Sequence, residues 1–249
     1  MTSCSAIIVA AGEGLRMKSS PPAKERSVAE AMERKRLVRQ AGVPKPYIKL
    51  RGKPLLLRTL KPFYEVDKIA NLVIVTLADW VEYCQSMVTD EFGTRKPVSV
   101  IAGGKKRQDS VYEGLKSVQT DIVVIHDSVR PFVTPDFINC LIGECEATGA
   151  VIPGLQLTDT VKEADAGFVR RTLAREQIYS IQTPQVFKRG ILKKAYQEAY
   201  AADFYGTDEA SLVERMGVKV KVIPGLKENI KITAPEDLMY AETLLNRQV

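Results

Sequence analysis

The sequence predicts an α/β protein built on a mostly parallel, doubly wound sheet. Two observations carry this. The apolar, β-branched run Ala6-Ile7-Ile8-Val9 breaks off into Ala10-Ala11-Gly12-Glu13-Gly14-Leu15-Arg16-Met17, which reads as a buried strand ending in a tight turn. Further strand-like runs at Asn71–Thr76, Val98–Ala102 and Ile122–His126 then alternate with helical spacings at Pro54–Val66, Asp79–Phe92 and Arg107–Val118. Such alternation argues for crossover units with helices on both faces. At 249 residues, without internal repeats, the chain is read as one domain spanning 1–249 with a sizeable core.

The first strand ends where ligands bind in open α/β sheets, at the C-terminal edge. Small residues there let the backbone approach a ligand, and turn N–H groups cradle phosphate. Arg16 adds a permanent planar cation suited to phosphate oxygens. A plain glycine turn with a surface arginine is the simpler alternative. A dinucleotide fingerprint would need a third glycine where Met17 stands and an acid nearer the second strand than Asp79. A P-loop would need Gly-Lys-Ser/Thr, which is absent.

Two segments interrupt the alternation. Lys18–Val43 is dense in Lys, Arg and Glu, opens with Ser-Ser-Pro-Pro and reaches Gly42; it reads as an exposed basic helix or a disordered insertion. Thr158–Thr183 has short alternating pieces around Asp165-Ala166-Gly167 and reads as a projecting β-ribbon. A lone ribbon is marginal in water, so pairing with a second copy is expected. Downstream of His126, Thr134-Pro135-Asp136 opens a helix with Thr134 as cap.

Several short motifs bear on chemistry. In Pro44-Lys45-Pro46-Tyr47 two prolines stiffen the chain around one lysine. Gly103-Gly104-Lys105-Lys106-Arg107 forms a second glycine turn, with Ser110 near a helix start, where anions are favoured. His126-Asp127-Ser128-Val129-Arg130 ends a buried strand in a carboxylate, suited to Mg²⁺ beside phosphates. The single histidine, His126, reads as structural. Thr207-Asp208-Glu209 starts a helix, its carboxylates read as caps, and Glu228–Thr233 reads as a short strand carrying Lys231. Singly, each motif also fits an ordinary turn, cap or surface cation. Together they are rich in Lys, Arg and Gly and lack a Ser-His-Asp or Cys-His set. That balance fits phosphoryl or nucleotidyl transfer, where positioning and charge neutralisation dominate.

Composition narrows the class. Net charge is +6, compatible with anionic substrates. No zinc-finger, RRM or helix-turn-helix signature points to nucleic acid. Cys4, Cys84, Cys140 and Cys145 show no CxxC spacing, so zinc is not expected and reduced thiols of a cytoplasmic protein are. No run is long enough to cross a bilayer, and no membrane partner is expected.

AAGEGLRM, PKPY, AGGKKRQDSV, HDSVRPF, TDTVK, TPQVF, TDEAS and NIKITAPEDL together resemble the 2-C-methyl-D-erythritol 4-phosphate cytidylyltransferase family of the non-mevalonate isoprenoid pathway. The set keeps the family's order and spans nearly the whole chain. The resemblance implies a Rossmann-like nucleotidyltransferase fold, a homodimer interlocked by a β-arm, and CTP, Mg²⁺ and a sugar-alcohol phosphate. It implies that Arg16 and Lys45 stabilise the transition state and that Arg175 and Lys231 position the methylerythritol phosphate. Thr160 and Arg175 would reach the partner's site from the arm. Asp127, Arg130 and Thr207 would line the sugar-phosphate and metal region, and Ala10, Ala11, Gly12, Glu13, Gly14, Gly104 and Ser110 would hold CTP. Two departures stand out: Lys18–Val43 is longer than the family's usual connection, so Lys45 matches by local motif, and Lys105 stands where an acid can occur. A cytidylyltransferase for another polyol phosphate, such as ribitol 5-phosphate, is the near alternative. A non-catalytic nucleotide-binding protein is the distant one.

Overall fold

The computed structural model describes residues 3–12 and 43–247. Glu13, Gly14, Arg16 and all of the Lys18–Val43 segment except its last residue lie outside them.

Eight strands form the main sheet, and β2 (Lys49–Leu50) and β3 (Lys53–Pro54) pair separately as a small antiparallel hairpin. Four parallel strands make its centre: β1 (Cys4–Val9) lies between β4 (Ile69–Thr76) and β6 (Ile122–Asp127), and β5 (Val98–Ala102) flanks β4. Beyond β6, β11 (Gln185–Lys188) runs antiparallel and leads to β7 (Ala150–Gln156). The short β10 (Tyr179–Ile181) pairs with the far end of β7, and β12 (Lys221–Pro224) lies parallel along the other edge of β7.

The central strands are buried on both faces, which is why they read as continuous apolar runs. Side chains alternate between two cores. Ala6, Ile8, Leu72, Ile74, Ile122 and Val124 face one; Ile7, Val73, Val75, Val123 and Ile125 face the other. The first core is covered by α1 (Leu55–Glu65), α2 (Val81–Phe92) and α4 (Pro135–Thr148). The second is covered by α3 (Arg107–Ser117), α5 (Arg189–Ala201) and α6 (Glu209–Arg215). Thr134 caps α4 as predicted, accepting from Phe137 N at 3.3 Å.

A third, smaller core bears directly on function. Leu238, Ala241 and Leu244 of α7 (Pro235–Arg247) pack with Leu50, Leu55, Val129, Phe132 and Ile232. It presses the stretch before α7 against the loop after β6. Ile232 N donates to Val129 O at 2.9 Å.

The predicted ribbon is a two-stranded hairpin of β8 (Val161–Asp165) and β9 (Phe168–Leu173). Ala166 and Gly167 turn it with φ of 48° and 85°, the left-handed pair that a tight two-residue hairpin demands. Phe168 is 79% exposed and Val169 63%. The ribbon is shorter than Thr158–Thr183, because Tyr179–Ile181 rejoins the main sheet. A second correction concerns Glu228–Thr233, which forms no strand and runs as an irregular link held by side-chain bonds of Asn229 and Lys231 and by the Ile232 N bond to Val129 O.

Candidate active site

The C-terminal ends of β1, β4, β5 and β6 define one edge, and most of the sequence motifs lie along it. The two glycine turns meet there. Gly103 N donates to Thr76 O at 2.7 Å, and Ala10 N to Val75 O at 2.7 Å. Gly103 faces Ala11 so closely that a Cβ would lie 2.5 Å from Ala11 Cβ and 2.7 Å from Ser110 Oγ. At Gly104 a Cβ would stand 2.4 Å from Asp109 Cβ. Ser110 is buried in the first turns of α3 and donates to Lys106 O at 3.1 Å. Ala11 and Ser110 are therefore brought together across Gly103 by an approach that only a glycine there permits, with Ala10 and Gly12 flanking Ala11 and Gly104 following Gly103. Gly103→Ala is expected to destabilise the fold by about 1–3 kcal/mol through this overpacking, read as a lowered denaturant midpoint with an unchanged slope.

Asp127, the last residue of β6, is the electrostatic centre. It is 6% exposed and ringed by three cations. Lys231 Nζ lies 2.8 Å from Oδ2, Arg107 Nε 3.3 Å from Oδ1 and Arg130 Nε 3.7 Å from Oδ2. Burial by itself would raise its pKa. Arg107, Lys231 and Arg130 outweigh burial and hold the carboxylate well below the usual range. Arg130 is anchored through Nη1 to Asn229 O at 2.9 Å.

Lys45 enters from another direction. It opens a single 3-10 turn, Lys45–Tyr47, whose next residues are fixed in place. Tyr47 stacks on Trp80 with centroids 4.5 Å apart and shares a 2.6 Å hydrogen bond with Thr76. Lys45 Nζ donates to Thr233 O at 2.8 Å, two residues from Lys231. Lys45 is thus tied to the link that carries Lys231 to Asp127, although 186 residues separate the two lysines in sequence.

His126 is fully buried, and both of its ring nitrogens are hydrogen-bonded within the protein. Its Nε2 donates to Arg130 O at 3.0 Å and its Nδ1 accepts from Thr183 Oγ1 at 2.9 Å. Burial pushes its pKa down to about 4, so the ring is neutral. Thr183 Oγ1 also accepts from Asp127 N at 3.1 Å, fixing the start of the loop.

Other expected residues stand further out. Asp208, rather than Thr207, caps α6, accepting from Ser211 N at 3.0 Å. Thr207 is exposed just before it. Thr160 is exposed beside the ribbon, and Arg175 Nη1 donates to Thr158 O at 2.5 Å.

Three contributors escaped the sequence reading. By local pattern Arg107 and Glu209 read as part of a basic turn and as a cap, yet Arg107 Nη1 sits 2.8 and 3.0 Å from the two Glu209 oxygens. Asn229 braces the Lys231 link by donating to Thr183 O at 2.7 Å. Its place inside the NIKIT motif was the available signal.

A family model described as IspD, 2-C-methyl-D-erythritol 4-phosphate cytidylyltransferase, matches residues 28–247. The chain belongs to this cytidylyltransferase family. A relative of that name from Caldanaerobacter subterraneus subsp. tengcongensis is 39% identical over 246 residues, covering 98% of this chain and 99% of that protein. Another from Syntrophus aciditrophicus is 39% identical over 98% of this chain and 96% of its own. Among solved cytidylyltransferase structures, 4-diphosphocytidyl-2C-methyl-D-erythritol synthase from Anaerococcus prevotii superposes with a TM-score of 0.80 at 30% identity, covering 98% and 96% of the two chains. The Francisella tularensis enzyme gives a TM-score of 0.75 at 30% identity with both chains fully covered. These relatives match this chain over nearly its whole length. Among the described residues no helix is long and apolar enough to cross a membrane.

Proposed function

We propose that this chain transfers CMP from CTP to 2-C-methyl-D-erythritol 4-phosphate, giving 4-diphosphocytidyl-2-C-methyl-D-erythritol and pyrophosphate. The observation that carries the reading is the cluster of Lys231, Arg107 and Arg130 around Asp127, with Lys45 bonded to the same link at Thr233 and two glycine turns on the same sheet edge, in a member of this family. A phosphomonoester has a second pKa near 6 and is largely a dianion at neutral pH. Its oxygen attacks the α-phosphorus of CTP, the new P–O bond forms, and the bond to the β-phosphate oxygen breaks with pyrophosphate leaving. No general base is needed, in keeping with a neutral, fully bonded His126.

Each residue then has a role. Ala10, Ala11, Gly12, Glu13, Gly14, Gly104 and Ser110 hold CTP, with backbone groups reading cytosine. Arg16, Lys45 and Lys231 neutralise charge building on the α-phosphate and leaving group. Asp127, Arg130 and Thr207 line the sugar-phosphate side. Thr160 and Arg175 reach the site of a second copy, whose surface covers the exposed Phe168 and Val169 of the ribbon.

Asp127 also fits Mg²⁺. Two of its roughly four acceptor positions are taken, by Arg107 and Lys231. One carboxylate, with water and substrate phosphates, is a common way for Mg²⁺ to be held. When bound, the ion would offset phosphate charge. The thiols are unpaired, and Cys4, Cys84 and Cys145 are buried, in keeping with a cytoplasmic setting.

The test is pyrophosphate release from CTP and Mg²⁺ with each polyol phosphate supplied separately. Turnover with methylerythritol 4-phosphate is the expected result. Turnover with ribitol 5-phosphate alone, or with neither, would overturn the assignment.

A further inference from the structure

Among the described residues only two carboxylates are buried, Asp127 and Glu209. Arg107 stands between them, its Nε toward Asp127 and its Nη1 astride both Glu209 oxygens. Glu209 has a second donor besides Arg107. Tyr196 OH donates to its Oε1 at 3.2 Å. It directly follows the helix cap Asp208, which accepts from Gln185 Nε2 at 2.7 Å. Next to Arg107, Gln108 fastens the loop before α6, donating to Phe204 O at 3.1 Å and accepting from Gly206 N at 2.9 Å. The start of α3 and the start of α6 are thereby clamped together at the reacting edge.

A buried ion pair adds little net stability, and apolar residues of similar volume serve a fold as well. What an apolar pair cannot do is fix the plane of a guanidinium against a second carboxylate. The geometry points to Glu209 as a positioning residue: it locks Arg107, so that Arg107 and Lys231 hold the Asp127 carboxylate in one orientation. It also offsets the Arg107 charge, leaving Asp127 less neutralised than three free cations would. This inference rests on the reading of Asp127 as part of the reaction machinery.

The test compares Glu209→Gln, Asp127→Asn and the double variant in steady-state pyrophosphate release, with melting temperatures alongside. Gln keeps the size of Glu209 and removes its charge. Glu209→Gln is expected to lower kcat ~10–100-fold, with KM for CTP within about threefold of the parent. In the Asp127→Asn background it is expected to add no further loss, because a residue acting through Asp127 has nothing left to orient. Equal losses in both backgrounds, or a lowered melting temperature with kcat intact, would overturn the inference. Arg107→Lys keeps the charge but cannot span both carboxylates. It is expected to behave as Glu209→Gln does, and it carries the test if the Gln variant fails to fold. An Asp127→Asn enzyme with undiminished kcat is a different result: it would remove Asp127 from the machinery and the inference with it.

Discussion

Lys231→Ala is expected to lower kcat/KM for the cytidylyl transfer by ~10²–10³, about 3–4 kcal/mol of transition-state stabilisation. The fold should survive, because the Lys231 side chain is 41% exposed and sits on an irregular link rather than in a core. Two consequences of the deletion add up. One cation aimed at the phosphates is lost. Asp127 also loses its shortest ion pair, at 2.8 Å, and keeps only Arg107 and Arg130. The measurement is initial-rate pyrophosphate release with both substrates varied, together with far-UV circular dichroism. A folded variant within about threefold of the parent rate would remove Lys231 from the catalytic set.

Phe187→Ala is expected to be the most damaging change to stability, costing about 3–5 kcal/mol. Phe187 is fully buried, with a relative accessibility of 0%. It lies on β11, whose backbone pairs with Val123 of β6 on one side and Ala150 of β7 on the other. Removing the ring opens a void in the middle of the second core, where strands on both sides limit collapse. For a chain of this size the melting temperature should fall by roughly 10 °C. A shift of only a degree or two would mean that the helices above the sheet move in to fill the space.

The fold was largely legible because its signals are local. Ile7 faces one core while Ala6 and Ile8 face the other, so a strand buried on both sides shows up as an unbroken apolar run. The ribbon was legible because Asp165-Ala166-Gly167 supplies the residues its turn needs. Glu228–Thr233 was misread for a related reason. Ile230 and Ile232 do alternate, but they pack onto the third core; alternation reports burial, and no strand lies alongside to pair with. Glu209 was misread because capping rules look only a few residues away. Asp208 obeys them, while the partner of Glu209 is Arg107, 102 residues earlier. The convergence of Lys45 with Lys231 was invisible to any local rule and was expected only from the order of the motifs.

The bond from Lys45 to the Thr233 carbonyl joins residues 188 positions apart, and the helix that presses this stretch into place comes after it in the chain. Long-range closures of this kind form late, once the intervening chain has already condensed. A ribosome-bound fragment lacking the last sixty residues would keep both glycine turns, much of the sheet and Arg107 and Arg130 beside Asp127, but would lack Lys231 and the carbonyl that Lys45 binds. The charge cluster is therefore complete only when the stretch carrying Lys231 and the helix packed behind it are in place.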